Sequence, residues 1–286
     1  MRLTFILLFF SLIECKQQPA VTDGPFAFGL SQGKVDDRIS EASGLVSSEM
    51  NPGMLWTLND SGNPAEVFLI DQAAQTKMVC TLKGIKNRDW EEIVIGAGPK
   101  KDKTYIYVGD IGDNLSQYPT KIIYRFEEPL FDGIAKEITN FETFTIKLSD
   151  GIRDTEAMMI DPATNNLFLV SKREDSVRLY QVDFPFTKKE LVANKVATLD
   201  LTLIVAADIS RDGQEVLMKN YNLVYYWKRQ PDQSLIELLQ QKPTKLPYDP
   251  EPQGESICFA HDHKGYYTLS ESSSKKKPHL YWYQRK

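Results

Sequence analysis

From about residue 26 onward the chain alternates short apolar stretches with polar turns, and hardly any stretch has the spacing of a helix. Residues 53–58, 104–108, 122–126, 166–170, 224–227 and 265–269 are rich in aromatic and β-branched side chains and are bounded by turn formers, which predicts strands. Residues 187–191 are the best helical candidate, and they make one turn at most. Asn51-Pro52-Gly53, the segment from Asp161 to Asn166, Arg211-Asp212-Gly213 and the segment from Asp262 to Gly265 supply positive φ and side-chain-to-backbone bonds. Each falls between two predicted strands.

The pattern repeats. An acid opens an apolar strand in Ser40-Glu41-Ala42-Ser43-Gly44-Leu45, Trp90-Glu91-Glu92-Ile93-Val94-Ile95, Thr155-Glu156-Ala157-Met158-Met159-Ile160, Ala206-Ala207-Asp208-Ile209-Ser210 and Gly254-Glu255-Ser256-Ile257-Cys258-Phe259. The acids at 41, 91, 156, 208 and 255 are 50, 65, 52 and 47 residues apart, enough for four strands each. Self-similarity at such a spacing predicts an array of one supersecondary unit. The longest interval holds a polar insertion starting at Glu127-Glu128-Pro129. After Glu255, 31 residues remain, room for three strands at Ser256–Phe259, 266–269 and 279–283. Residues 26–30 would supply the fourth strand and close the ring, removing free sheet edges. The expectation is an all-β fold, a β-propeller of five four-stranded blades, with six blades as the alternative. Stacking such sheets buries faces that no repeat can bury alone, and Trp56, Trp227, Tyr107, Phe168 and Tyr267 are placed between blades.

The first residues depart from this pattern. Arg2 precedes an apolar run from Leu3 to Ile13, then Glu14-Cys15, a signal peptide too short to span a membrane comfortably. Cysteine directly after the run resembles a bacterial lipobox, although Glu14 stands where a small residue is usual. A plain secretory signal cut elsewhere is the alternative. The organisation expected is a lipoprotein signal over 1–14, a tether over 15–25 beginning at the lipidated Cys15, and the propeller over 26–286. Lys16 lacks the aspartate that some bacteria read as inner-membrane retention, so the expected location is the outer membrane of the cell envelope. Cys80 and Cys258 fit no metal spacing and are expected as buried free thiols on an outer and an inner strand.

The formal net charge of −5 makes a nucleic-acid backbone an unsuitable partner and leaves cations and neutral molecules. The motif acids start the strands nearest the axis. Asn59-Asp60, the segment from Asp110 to Asn114, Lys172-Arg173-Glu174, Lys219-Asn220 and Ser270-Glu271 close the second strands. Glu41 to Asp60 and Glu91 to Asp110 are both 19 residues, so both pairs are expected to meet across a hairpin. Gathered carboxylates need protons or a cation. Glu41, Asp60, Glu91, Asp110, Glu156 and Glu255 offer the hard oxygens that calcium takes. The competing expectation is a ring neutralised by Arg88, Arg153, Lys172, Arg173 and Lys219. Asp208 is offset by one residue, and Lys219 weakens the fourth repeat as a donor.

The motifs from Glu41 to Leu45, Leu55 to Asp60, Asp89 to Ile93 and Asp154 to Ala157 resemble those of SdiA-regulated proteins. These are bacterial envelope propellers similar at a distance to NHL-repeat and phytase-like propellers. The resemblance implies a five-bladed propeller with a bound calcium ion, and no particular reaction.

Other chemistries find less support. There is no Gly-x-Ser-x-Gly elbow, and His261 and His263 flank a turn aspartate. A metal that polarises an ester or phosphoryl oxygen needs no histidine, so a calcium-dependent hydrolase of phytase or lactonase type stays open. Too many acids are present to single out a glycosidase pair. The basic loop from Ser272 to Pro278 is expected as solvated, with anionic lipid as its second reading. The expected function is a monomeric envelope binding module for a small molecule or an envelope protein, with the hydrolase and a pure envelope scaffold as alternatives.

Overall fold

The computed structural model describes residues 24–133, 135–273 and 277–286. Cys15, the signal segment and most of the tether lie outside the described residues, as do Ser274, Lys275 and Lys276. The strands run in order β1 (Leu30–Lys34), β2 (Ala42–Ser47), β3 (Met54–Asn59), β4 (Glu66–Asp71), β5 (Thr76–Leu82), β6 (Trp90–Gly96) and β7 (Tyr105–Asp110). They continue with β8 (Lys121–Glu127), β9 (Lys136–Ile138), β10 (Glu142–Leu148), β11 (Thr155–Ile160), β12 (Leu167–Ser171), β13 (Arg178–Val182) and β14 (Glu190–Thr198). The last are β15 (Ala206–Ile209), β16 (Glu215–Lys219), β17 (Val224–Lys228), β18 (Thr244–Leu246), β19 (Ser256–Phe259), β20 (Gly265–Leu269) and β21 (His279–Gln284), with one short helix α1 (Leu235–Leu239) before β18. No helix among the described residues is long and apolar enough to cross a membrane.

The strands form sheets ordered β2-β3-β4-β5-β9, β15-β16-β17-β18 and β1-β21-β20-β19, and an eight-stranded sheet β11-β12-β13-β14-β10-β8-β7-β6. The eight-stranded sheet is two antiparallel halves joined by the parallel pairing of β10 with β14. β2, β6, β11, β15 and β19 touch one another in a closed cycle, β2 to β6 to β11 to β15 to β19 and back to β2. These strands surround a common axis. Ring closure joins the two chain ends. β1 pairs antiparallel with β21, and a bridge from Phe26 to Arg285 extends the contact. The closing strand is therefore Leu30–Lys34, slightly later in the chain than residues 26–30.

Apolar clusters fill the gaps between neighbouring sheets. Trp56 packs with Trp90, Ile93 and Val108, and Tyr107 packs with Ile160 and Leu169. Phe168 joins Trp227 and Val216, Tyr267 joins Leu55 and Phe68, and Phe26 joins Tyr226 and Tyr266. Every aromatic expected between sheets is there. Cys80 on β5 and Cys258 on β19 are both buried and free.

Three elements differ from the sequence expectation. Residues 190–191, assigned to a helical turn, begin the nine-residue β14, because β10 offers a parallel edge from Thr145 to Leu148. The helix is instead α1, where Ser234 accepts from the Glu237 N–H and the Glu237 carboxylate reaches back to the Ser234 N–H, a capping box. The polar insertion returns as β9, which pairs in parallel with β5 of the preceding sheet. Glu128 at its start is buried and accepts from Ser48, Trp56 and Thr104 at 2.5, 3.0 and 2.9 Å, so the insertion ties two sheets together.

Trp56 is fully buried in this junction. Trp56→Ala leaves a cavity and takes away one of the donors to Glu128, and is expected to cost about 3–5 kcal/mol. Urea unfolding followed by circular dichroism measures the loss.

Candidate functional site

Bulges at the starts of the inner strands set the geometry of the site. Across β6 and β7, Trp90 faces Asp110 and Glu92 faces Gly109, which leaves Glu91 as the extra residue. Across β11 and β12, Thr155 faces Ser171 and Ala157 faces Val170, leaving Glu156. Across β2 and β3 the extra residue is Gly44, with φ of 76°. A bulge frees its residue from the pleat and re-aims it. Here two of the three extra residues are glutamates that line one cavity at the mouth of the axial channel. A side chain at Gly44 would strike Glu92 and the Ile93 N–H, with a Cβ 2.9 and 2.8 Å from them, so this position requires glycine.

The cavity has a volume of about 260 Å³ and takes Asp60, Glu91, Glu156, Glu255 and Glu271 as its acids, with Lys172, Arg173, Tyr221 and Gln253 beside them. Four of the six residues expected as ligands thus come together. Glu41 and Asp110 are not in the lining. Glu41 is exposed and held by Asn63, and its backbone carbonyl accepts the Asp60 N–H at 2.8 Å. Asp110 is buried against the Arg88 guanidinium at 3.0 Å. The shared spacing of 19 residues hides a difference in register: Glu41 faces Asp60, but Trp90 faces Asp110. By bulge position Gly44, not Glu41, corresponds to Glu91. Asp208, expected one residue out of line, is the third residue of β15 and lies at the opposite end of the channel. Lys219 in that repeat is buried and donates to the Gly254 carbonyl.

Charge compensation divides the acids into two groups. Lys172 Nζ is 2.9 Å from Glu156 and 3.7 Å from Glu255, above the Tyr221 ring, and Tyr221 donates to Glu255 at 2.5 Å. Burial works against the charge of Lys172, but Glu156 and Glu255 outweigh it and raise its pKa. Outside the cavity, Asp154 has Arg173 at 2.6 Å. The other group is Asp60, Asp89 and Glu91, whose ligating oxygens lie within 4.8 Å of one another. Among the described residues none of these three is in an ion pair within 4 Å. Gly112 lets the backbone approach: a Cβ there would be 2.3 Å from a Glu91 oxygen and 2.5 Å from an Asp89 oxygen.

Burial raises the proton affinity of these acids. Burial, reinforced by Asp89, Glu255 and Glu41, pushes Asp60 up to about 6 against the Ser61 N–H. Burial and the neighbouring Glu156 and Asp60 raise Glu91 well above the carboxylate range. Burial, Glu255 and Asp60 push Glu271 up to about 8. Burial also raises Asp89.

Two residues of the site escaped sequence reasoning. Asp89 opens the motif from Asp89 to Ile93 but was not among the expected ligands, and its neighbour Arg88 pairs with Asp110. Glu92 is fully buried on the axis and accepts N–H groups of Ile93 at 3.1 Å and Ala207 at 3.3 Å, pinning β6 to β15. Two consecutive acids in an apolar strand were its only signal.

No family model matches the chain, and no curated protein matches it. Among solved structures, the PQQ-bound aldose sugar dehydrogenase from Streptomyces coelicolor is 9% identical, with 90% of this chain and 97% of that chain covered at a TM-score of 0.53. The Dos1 propeller is 10% identical, with 85% and 68% covered at a TM-score of 0.40. At such identity the first likeness shows the fold alone, which is β-propeller-like.

A carboxyl whose pKa is raised by folding destabilises the native state progressively as pH rises from its unfolded value to its folded one. With Asp60 near 6 and Glu271 near 8, the melting temperature in chelator is expected to fall between about pH 5 and 8. Glu271→Gln is expected to flatten that slope, and thermal melts across pH measure it.

Proposed function

We propose that the protein is a five-bladed propeller that binds a divalent cation, calcium by its chemistry, at Asp60, Asp89 and Glu91, and uses the loaded channel mouth as a binding module in the cell envelope. The observation that carries this reading is the uncompensated trio. Neighbouring Glu156 and Glu255 share Lys172, Asp110 has Arg88 and Asp154 has Arg173, whereas among the described residues the three closest carboxylates have no cationic side chain within 4 Å, and Arg88 and Lys121 act on Asp89 only from farther away. Their donor set is all oxygen, which suits calcium and not zinc. The remaining coordination would come from water and backbone. The ring is therefore mixed, with one half neutralised by lysine and the other by a bound ion.

The five-blade count rests on the closed cycle of five inner strands, and the likeness to SdiA-regulated propellers rests on the motifs that line the mouth. Anchoring through Cys15 in the outer membrane belongs to the same proposal. A polar small molecule fits a cavity of about 260 Å³ better than a protein segment does. The second reading is a calcium-dependent hydrolase, favoured by the proton-transfer groups Glu156, Lys172 and Tyr221 beside the trio. Turnover abolished by chelation would replace the binding module with it.

Calcium in hundredfold excess over its Kd stabilises by about 2.7 kcal/mol. The expected rise in melting temperature over chelated protein is roughly 5–10 °C. Glu91→Gln is expected to remove most of the rise. Identical melting curves with calcium and with chelator, together with no heat of binding in calorimetry, would overturn the proposal.

A further inference from the structure

The channel has a second mouth, at the ends of the inner strands, and its chemistry is the reverse of the first. A cavity of about 320 Å³ opens there. Its wall is a ring of apolar side chains, one near the end of each inner strand: Val46, Val94, Ile160, Ile209 and Phe259. Each is almost buried, with 8%, 4%, 7%, 7% and 3% exposure, so what remains open faces the cavity. The ring is a product of the fold's cyclic arrangement, as the acidic mouth is.

One carboxyl interrupts this wall. Asp208 lies partly open in the lining, and its Oδ2 accepts the Phe259 N–H at 2.7 Å. Among the described residues no lysine, arginine or histidine pairs with it within 4 Å. The charged groups at the rim are otherwise engaged. Arg211 is 2.8 Å from Glu49 and also contacts His261, and Lys103 is 2.7 Å from Glu127. Glu92 from β6 and Cys258 from β19 face Asp208 from behind, and neither supplies positive charge. Burial pushes Asp208 up to about 7, against the Phe259 and Ile209 N–H groups.

An enclosed acceptor without a cation, ringed by hydrocarbon, asks for a ligand with one cationic donor and an apolar body. We propose that this second mouth binds a small amphipathic amine, with its ammonium on Asp208 and its hydrocarbon against the ring of Val46, Val94, Ile160, Ile209 and Phe259. The site is independent of the acidic mouth. It uses none of Asp60, Asp89 or Glu91.

Isothermal calorimetry on the folded domain tests this with n-hexylamine and phenethylamine, and with n-hexanol and hexanoate as controls. Saturable binding of the amines is expected, with the controls weaker. Asp208→Asn is expected to lower amine affinity by about tenfold or more, the worth of one charge-assisted hydrogen bond. Ile95→Trp, a partly exposed lining position, keeps the carboxyl but fills the cavity, and is expected to abolish binding even if Asp208→Asn does not fold. Chelator is expected to leave amine binding unchanged. The proposal is overturned if hexanol binds as tightly as hexylamine, if folded Asp208→Asn keeps full affinity, if Ile95→Trp still binds, if chelator removes the binding, or if natively folded protein shows no saturable amine binding.

Discussion

Carboxylates enclosed together must find positive charge or keep their protons, and that constraint organises the centre of this molecule. The closed cycle of inner strands draws strand starts from distant parts of the sequence into one small space. The fold gains by it, since stacking the sheets buries both faces of the inner strands. It also gathers Asp60, Asp89, Glu91, Glu156, Glu255 and Glu271 where bulk water cannot screen them. Lys172 answers for two of them and protons answer for others. Direct loss of Lys172 would leave Glu156 and Glu255 uncompensated, a larger perturbation than loss of either acid alone.

The β-bulges join the local and the global parts of this arrangement. In a regular strand alternate side chains point to opposite faces, so adjacent acids cannot both face the axis. The extra residue at Glu91 breaks that alternation, and Glu91 and Glu92 both end up near the channel. Glu91 goes to the trio with Asp60 and Asp89, and Glu92 goes to the N–H groups of Ile93 and Ala207. In the first repeat the same bulge holds glycine, and the space that a side chain would occupy is taken by Glu92 itself. Repeats that share a sequence pattern therefore contribute unequal chemistry: acid from two of them, room from the third.

The fold was legible because strand patterns and turn residues are local. The strands from Ser256 to Phe259 and at residues 265–269 and 279–284, the closure by both chain ends, and the aromatics between sheets all follow from apolar alternation. The site was legible only in part, because register is not local. Glu41 and Glu91 look equivalent by their distance to Asp60 and Asp110, yet an extra residue in one strand shifts the pairing, and no count along the chain reveals which residue is extra. Asp208 shows the same limit: two positions along a strand carry a side chain from one mouth toward the other. β9 was hidden for another reason. Three residues in a polar insertion carry little periodicity, and they become a strand because β5 presents an unpaired edge.

The two mouths differ because three of the five inner strands, β6, β11 and β19, read from polar to apolar. Glu91, Glu156 and Glu255 stand at or just before strand starts, and Ile95, Ile160 and Phe259 stand at or near strand ends. Arranged around an axis, that gradient gives one end lined with carboxyls and one end lined with hydrocarbon. Glu92 lines neither cavity; it is fully buried and accepts from backbone of two sheets. Burial raises the pKa of this enclosed carboxyl well above the carboxylate range. The sequence gradient is enough to give one propeller two chemically distinct faces.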